Sequence, residues 1–336
     1  MRRSGRGTWF RLRNDATGAW SCLSKLIDLE GYPVRPVLES LLRDKTTKQN
    51  IIFATDAYTE DGEGFAETSQ ITAEKLLGFG KIQIRPRAEK AEDERHARTR
   101  KKAEVATPAW LVCKMNNHCD EEWFGRPNVF NTEDGTGWVT NTAPIVFEGK
   151  TSWKAYVDSK RLEITCGEAP YVVSRYDAAT GEIIPIGDRI GILDRKLRVV
   201  NENAADDGEW LKWALRALQS SYGYEFQGDN LLIARVNVLD TMVEHYEARF
   251  QALPDIRLLR KMVNIICWNF WQMDGLTGTI PFSLPKQQDE EQMTFGGFFD
   301  EVVDEVQLPI MPICRIMDWR RDRSVAYDDI RGGKEK

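Results

Sequence analysis

From Val105 onward the chain alternates short apolar runs with longer stretches of helical spacing, and this alternation narrows the possible folds more than any other feature. A short apolar run, a helix-length segment and a second short run read as strand, crossover and strand. That pattern builds an α/β sheet with helices on both faces. Residues 209–220 and 231–250 have helix length, and the second segment spaces Leu231, Ala234, Val238 and Met242 at helical intervals. Pro108 suits the first turn of a helix and opens an apolar run over 110–115. Upstream, Ile51-Ile52-Phe53-Ala54 and the turn Asp61-Gly62-Glu63-Gly64 mark residues 1–80 as a small N-terminal α/β region. Residues 81–102 form a basic connector and 103–336 the main domain, with an acidic insertion at 286–307. No internal repeat is present.

Composition limits what such a chain can be. At 42% hydrophobic and 29% charged it has ordinary globular usage, and no apolar run is long enough to span a bilayer. The basic opening is not followed by an apolar segment, so no secretory signal is expected and the chain reads as cytoplasmic. Six scattered cysteines, with no C-x-x-C pair, indicate reduced thiols. Cys113, His118 and Cys119 lack a second ligand pair and standard metal spacing, and read as a helix end. The net charge of -6 does not suit a phosphate-binding protein, but its distribution is uneven. Between Lys81 and Lys102 nine Lys or Arg face four acids, which reads either as a DNA-following segment or as a solvated linking helix.

Residues 161–175 carry the most chemistry. A short strand runs into a small-residue turn and an apolar helix start, a place where a ligand can approach the backbone. Gly167 is the only glycine of the turn, so the three-glycine dinucleotide fingerprint is missing. The segment Glu163-Ile-Thr-Cys-Gly-Glu-Ala-Pro-Tyr171 resembles motif I of the N6-adenine DNA methyltransferases, D/E-P-x-C-G-x-G-x-F. Glu163, Cys166, Gly167, Ala169 and Tyr171 fall in register. Upstream, Ala103-Glu-Val-Ala-Thr-Pro-Ala-Trp resembles motif X of the gamma-ordered enzymes, with Thr107 and Pro108 as its Thr-Pro pair. The order X before I is that of the gamma class and of restriction endonuclease subunit M, which the chain resembles from about Asp44 onward. The resemblance implies a Rossmann-like class I methyltransferase fold and S-adenosylmethionine as cofactor.

Such a fold places an acid at the end of the second strand, because a carboxylate can accept hydrogen bonds from both ribose hydroxyls. Asn264-Ile-Ile-Cys-Trp-Asn-Phe-Trp-Gln-Met-Asp274 resembles that strand and selects Asp274. Tyr222-Gly-Tyr-Glu-Phe, followed by an Ala-Arg helix, selects Glu225 instead. Asp274 is preferred here because it ends the more strand-like run. Pro312-Ile-Cys-Arg-Ile-Met-Asp318-Trp319 is similar to motif III, with Asp318 on the adenine amino group and Trp319 either stacking on the ring or simply packing.

One motif of the family is missing. Adenine methylation needs a flipped base held by Asn/Asp/Ser-Pro-Pro-aromatic, and none of the thirteen prolines adjoins another. The expectation is a split enzyme: this chain binds S-adenosylmethionine and DNA, while a catalytic methylase subunit carrying Asn-Pro-Pro-Tyr completes the site. Two alternatives stay open. Asn269-Phe-Trp-Gln272 could serve as a degenerate form of the motif in a self-sufficient enzyme, or the chain could be a non-catalytic binding protein on a decayed fold.

Overall fold

The computed structural model describes residues 26–102, 104–148, 151–285 and 308–331. The protein is mixed α/β, with many helices, small sheets and no barrel among the described residues. In the N-terminal region two short helices, α1 (Leu38–Leu41) and α2 (Ala73–Leu77), flank an extended segment in which Ile52 bridges Gln70. Its apolar residues Val34, Leu41, Phe53 and Ile71 join the same hydrophobic core as the helices further along the chain.

The connector ends in helix α3 (Glu92–Lys102), and α4 (Ala109–Phe124) follows. α4 starts directly after Pro108 and runs well beyond the expected 110–115. Pro108 cannot cap it, so Asp177 Oδ2 accepts the Ala109 N–H at 2.9 Å. Strands β1 (Asn131–Asp134) and β2 (Gly137–Thr140) form an antiparallel hairpin, and α5 (Trp153–Asp158) leads to the central sheet.

That sheet has three strands, all parallel, in chain order: β3 (Arg161–Glu163), β4 (Ser221–Glu225) and β5 (Phe270–Gln272). Helices α6 (Ile192–Asn203) and α7 (Asp207–Gln219) cross from β3 to β4, and α8 (Gly228–Phe250) and α9 (Ile256–Asn269) from β4 to β5. Two crossovers stepping in one direction put their helices on one face under the right-handed rule. The side chains agree. Phe270 joins the core of α6–α9, and a Cβ on the neighbouring Gly223 would lie 3.0 Å from the Phe270 ring. Tyr222, Tyr224 and Trp271, out of phase by one residue, form a second cluster with Cys314, Ile316 and Val325.

Among the described residues the crossover helices α6–α9 lie on one face, where helices on both were expected. The other face is covered by the antiparallel hairpin of β8 (Arg315–Asp318) and β9 (Arg323–Ala326), followed by α10 (Tyr327–Arg331). Before it, the short parallel pair β6 (Leu284–Pro285) and β7 (Ile310–Met311) brackets residues 286–307, so the expected acidic insertion lies outside the described residues.

The expected strand over 264–274 is mostly helix. Leu259, Met262, Val263 and Ile266 repeat at i, i+3, i+4 and i+7 and are all buried, and Asp255 caps the start by accepting the Leu258 N–H at 2.8 Å. Only 270–272 is strand. The expected sheet strand ending in Asp318 is likewise an arm of the covering hairpin. Among the described residues, no strand pairs with the outer edge of β3.

Candidate functional site

A cavity of 680 Å³ opens at the carboxyl ends of β3 and β4. That volume suits a nucleoside-sized ligand. The cavity is shaped by the loop that follows β3. Glu163 turns back and accepts the N–H groups of Tyr171 at 3.4 Å and Val172 at 3.2 Å, which closes the loop into a ring. Inside the ring Thr165, Gly167 and Ala169 all have positive φ, at 46°, 53° and 62°. Two of these are not glycine, and each holds a conformation costing about 1–2 kcal/mol. The surrounding hydrogen bonds, including Cys166 N–H to Tyr224 O at 2.8 Å, maintain this shape.

Glu225 ends β4 and binds the loop from the other side. Its Oε2 accepts the Gly167 N–H at 2.8 Å and its Oε1 the Gln227 N–H at 3.0 Å. Burial pushes its carboxyl up to about 7, with those two N–H groups pulling the other way. Burial also drives Glu163 well above the usual carboxylate range, and nearby Glu225 adds to the effect. Burial raises the Cys166 thiol too, which disfavours the thiolate.

The charge of the lining restricts the ligand. Glu104, Glu163, Glu168 and Glu225 face the cavity, and the only lining cation among the described residues is Arg87, which is held by Glu104 at 3.2 Å. The described lining leaves no cation for a phosphate, whereas a cationic ligand with hydroxyl groups would be welcome. Asn230 also lines the cavity. Its Nδ2 donates to Glu104 at 3.3 Å, while its buried Oδ1 has no partner among the described residues.

Of the residues singled out in the sequence, Thr107, Glu163, Cys166, Gly167, Tyr171 and Glu225 line this one cavity. Pro108 sits beside Thr107 at the start of α4, and Ala169 is fully buried in the turn. Asp274 lies elsewhere, in a turn after β5 where its Oδ1 accepts the Leu276 N–H at 2.8 Å. The Asp318 carboxylate accepts the Arg320 N–H at 3.0 Å within the covering hairpin. Trp319 donates from Nε1 to Asn269 Oδ1 at 2.7 Å. Asn269 is itself fully buried, its Nδ2 donating to Leu218 O at 3.0 Å and Ser221 O at 2.9 Å, so its carboxamide is wholly occupied.

The basic connector is similarly engaged within the chain. Lys81 pairs with Glu30, Arg85 with Glu94 and Arg87 with Glu104, and buried Arg98 bonds both Glu104 and Asp229. Arg87 thus reaches the cavity from a segment whose patterning reads as a linker, and Glu104 from the start of the segment that resembles motif X, where the resemblance assigns it no role. Among the described residues no group of three or more His, Cys, Asp or Glu is placed to hold a metal. No helix of the described residues is long and apolar enough to cross a membrane. Compared with models of known families, with curated proteins and with solved structures, the chain matches none.

Proposed function

We propose that this chain is the S-adenosylmethionine-binding subunit of a restriction-modification DNA adenine-N6 methyltransferase. In this reading it is built on half of a Rossmann-like class I methyltransferase sheet and completed by a partner chain carrying Asn-Pro-Pro-Tyr. The observation that carries the reading is convergence: Thr107, the 163–171 loop and Glu225 come from three separate segments and meet in one cavity at the carboxyl ends of adjacent parallel strands. Ligands of doubly wound sheets sit at that end, where the strand order reverses. The order β3-β4-β5 is one half of such a sheet, and the reversal would begin at the unpaired edge of β3.

The residues fit the cofactor. Glu225, once ionised, can accept from both ribose hydroxyls, and it lines the cavity whereas Asp274 does not. The unpartnered Asn230 Oδ1 offers an acceptor to an amino or hydroxyl group. The described lining holds no unpaired cation for a phosphate, and a sulfonium or ammonium entering it would draw glutamates whose burial favours the neutral form toward the carboxylate. Gly167, with open space where a Cβ would point, leaves the backbone free to approach the ligand. When bound, S-adenosylmethionine would supply the electrophilic methyl group; the adenine flipped out of the DNA would be held and stacked by the partner chain.

Calorimetry on the isolated chain tests the reading. S-adenosylmethionine should bind, and Gly167→Leu should weaken binding at least about tenfold, because the new side chain enters the cavity while costing the fold only about 1–2 kcal/mol. Equal affinity in the variant would remove the site. In a labelled methyl-transfer assay the chain alone should be inactive on DNA and the mixed subunits active. Activity of the chain alone would replace the split enzyme with a self-sufficient one.

A further inference from the structure

Helix α9 contains three cations and no acid. Arg257, Lys261, Asn264 and Trp268 follow one another at i+4, i+3 and i+4, so they lie along one face, with Arg260 beside them. The stripe is about 16 Å long at 1.5 Å per residue. Its basic residues are exposed, while the opposite face of the helix, with Leu259, Met262, Val263 and Ile266, is buried.

At the Trp268 end the loop after α1 adds more positive charge. Lys45 Nζ lies 5.9 Å and Lys48 Nζ 5.2 Å from the Trp268 ring centre. Lys45 also donates to Asn264 Oδ1 at 2.8 Å, and Arg43 to Lys48 O at 3.0 Å. The hairpin is tied to the same loop, since Arg315 N–H donates to Thr46 Oγ1 at 2.9 Å, and its guanidinium contacts only Ser324 among the described residues. None of these seven cations pairs with a carboxylate of the described residues, in contrast to the connector, where five cations do. Asp255 caps α9, Asp44 is buried and bonded to Thr47, and Glu39 sits on α1, and none of the three forms an ion pair with these cations among the described residues. Burial lowers the Lys45 pKa, with Lys48 and Arg235 acting in the same direction and Cys267 and Asp44 opposing it.

We propose that this face docks the phosphate backbone of nucleic acid. Like charges held together with no counter-charge cost stability unless a polyanion relieves them. Two of the ammonium groups are fixed over an indole, which reduces the ordering cost of phosphate contact. A membrane surface fits less well, because α9 has no apolar face left to insert into a bilayer. The proposal is independent of the methyl-transfer reading, since the patch shares no residue with the cavity.

The test is fluorescence anisotropy of a labelled DNA duplex, and of its single strand, titrated with the full chain between about 50 and 200 mM salt. Lys45→Ala, Lys48→Ala and Lys261→Ala together should weaken binding at least about tenfold, and should flatten the salt dependence by up to about 0.9 in log–log slope for each phosphate no longer neutralised. Lys114→Ala with Lys212→Ala removes exposed charge elsewhere and should have little effect. Unaltered calorimetric affinity for S-adenosylmethionine and an unaltered melting curve should accompany the weaker DNA binding, which separates this surface from the cavity and from misfolding. Equal weakening by the control pair, no binding to either nucleic acid, or binding only to phosphatidylserine vesicles would overturn the proposal.

Discussion

Glu225 couples the cavity to pH. Its folded carboxyl titrates near 7 because burial favours the neutral form, whereas an unfolded glutamate titrates near 4.5. The folded state therefore binds the extra proton between those values, and this residue's contribution to stability declines as pH rises from about 4.5 through 7. A ligand with two hydroxyl donors prefers the carboxylate, so binding near pH 6.5 should release a proton. Affinity should rise with pH until about 7 and then level off. Calorimetry in buffers of different ionisation enthalpy measures that proton directly. Glu225→Gln should bind more weakly and lose the pH dependence, and because its amide has one acceptor oxygen for the two N–H groups of Gly167 and Gln227 it should also lose stability. A pH-independent parent would show that Glu225 does not meet the ligand. Residues of this kind are partly legible in the sequence. Glu163, Cys166 and Gly167 stand within five positions of one another, and a local pattern can mark them. Glu225 is legible only as one of two choices, because the deciding fact is the pairing of its strand with β3, which is long-range. Asn230 and Arg87 carry no signal, since they converge on the cavity only after folding, and Glu104 stands in the segment resembling motif X without a role assigned by it.

At the level of elements, Asn269 joins three pieces of structure. Its carboxamide bridges the end of α7, the start of β4 and Trp319 of the hairpin. Asn269→Leu keeps similar volume but strands two carbonyls and one indole N–H, and should cost about 2–3 kcal/mol in chemical denaturation. Trp319→Phe removes only the donor and should cost less. A change near zero for Asn269→Leu would mean that the hairpin packs without this bond. The same segment shows why a strand over 264–274 is the wrong expectation. Resemblance to a family strand favours an extended run, but the buried positions repeat every three to four residues, as a helix requires. The helix periods of α7 and α8 are plain because nothing competes with them. The C-terminal hairpin is hidden for another reason: its short apolar strand has the same local composition whether it pairs in a central sheet or lies across one.

On the scale of the whole molecule, β3 presents a sheet edge that no described strand covers. Leu162 is 44% exposed on β3, and Ile164 just beyond it is 63% exposed, a rare combination for residues flanking a binding loop. If a partner strand adds there, Leu162→Lys should leave the melting temperature and S-adenosylmethionine binding of the isolated chain nearly unchanged, within about 0.5 kcal/mol. The same change should abolish methyl transfer by the mixed subunits. Retained activity would direct the search for the partner to another surface. The N-terminal region is bound into this molecule as firmly as any strand. Ile52 exchanges two hydrogen bonds, each 2.9 Å, with the Gln272 side chain, and a Cβ on Gly228 would lie 1.9 Å from the Ile52 carbonyl. That clasp joins positions 220 residues apart. During synthesis, Ile51, Phe53 and Ile71 leave the ribosome long before their partners exist, and at about 5–20 residues per second they wait some 10–40 s for Gln272. The packing of residues 26–80 is therefore complete only once β5 has been made.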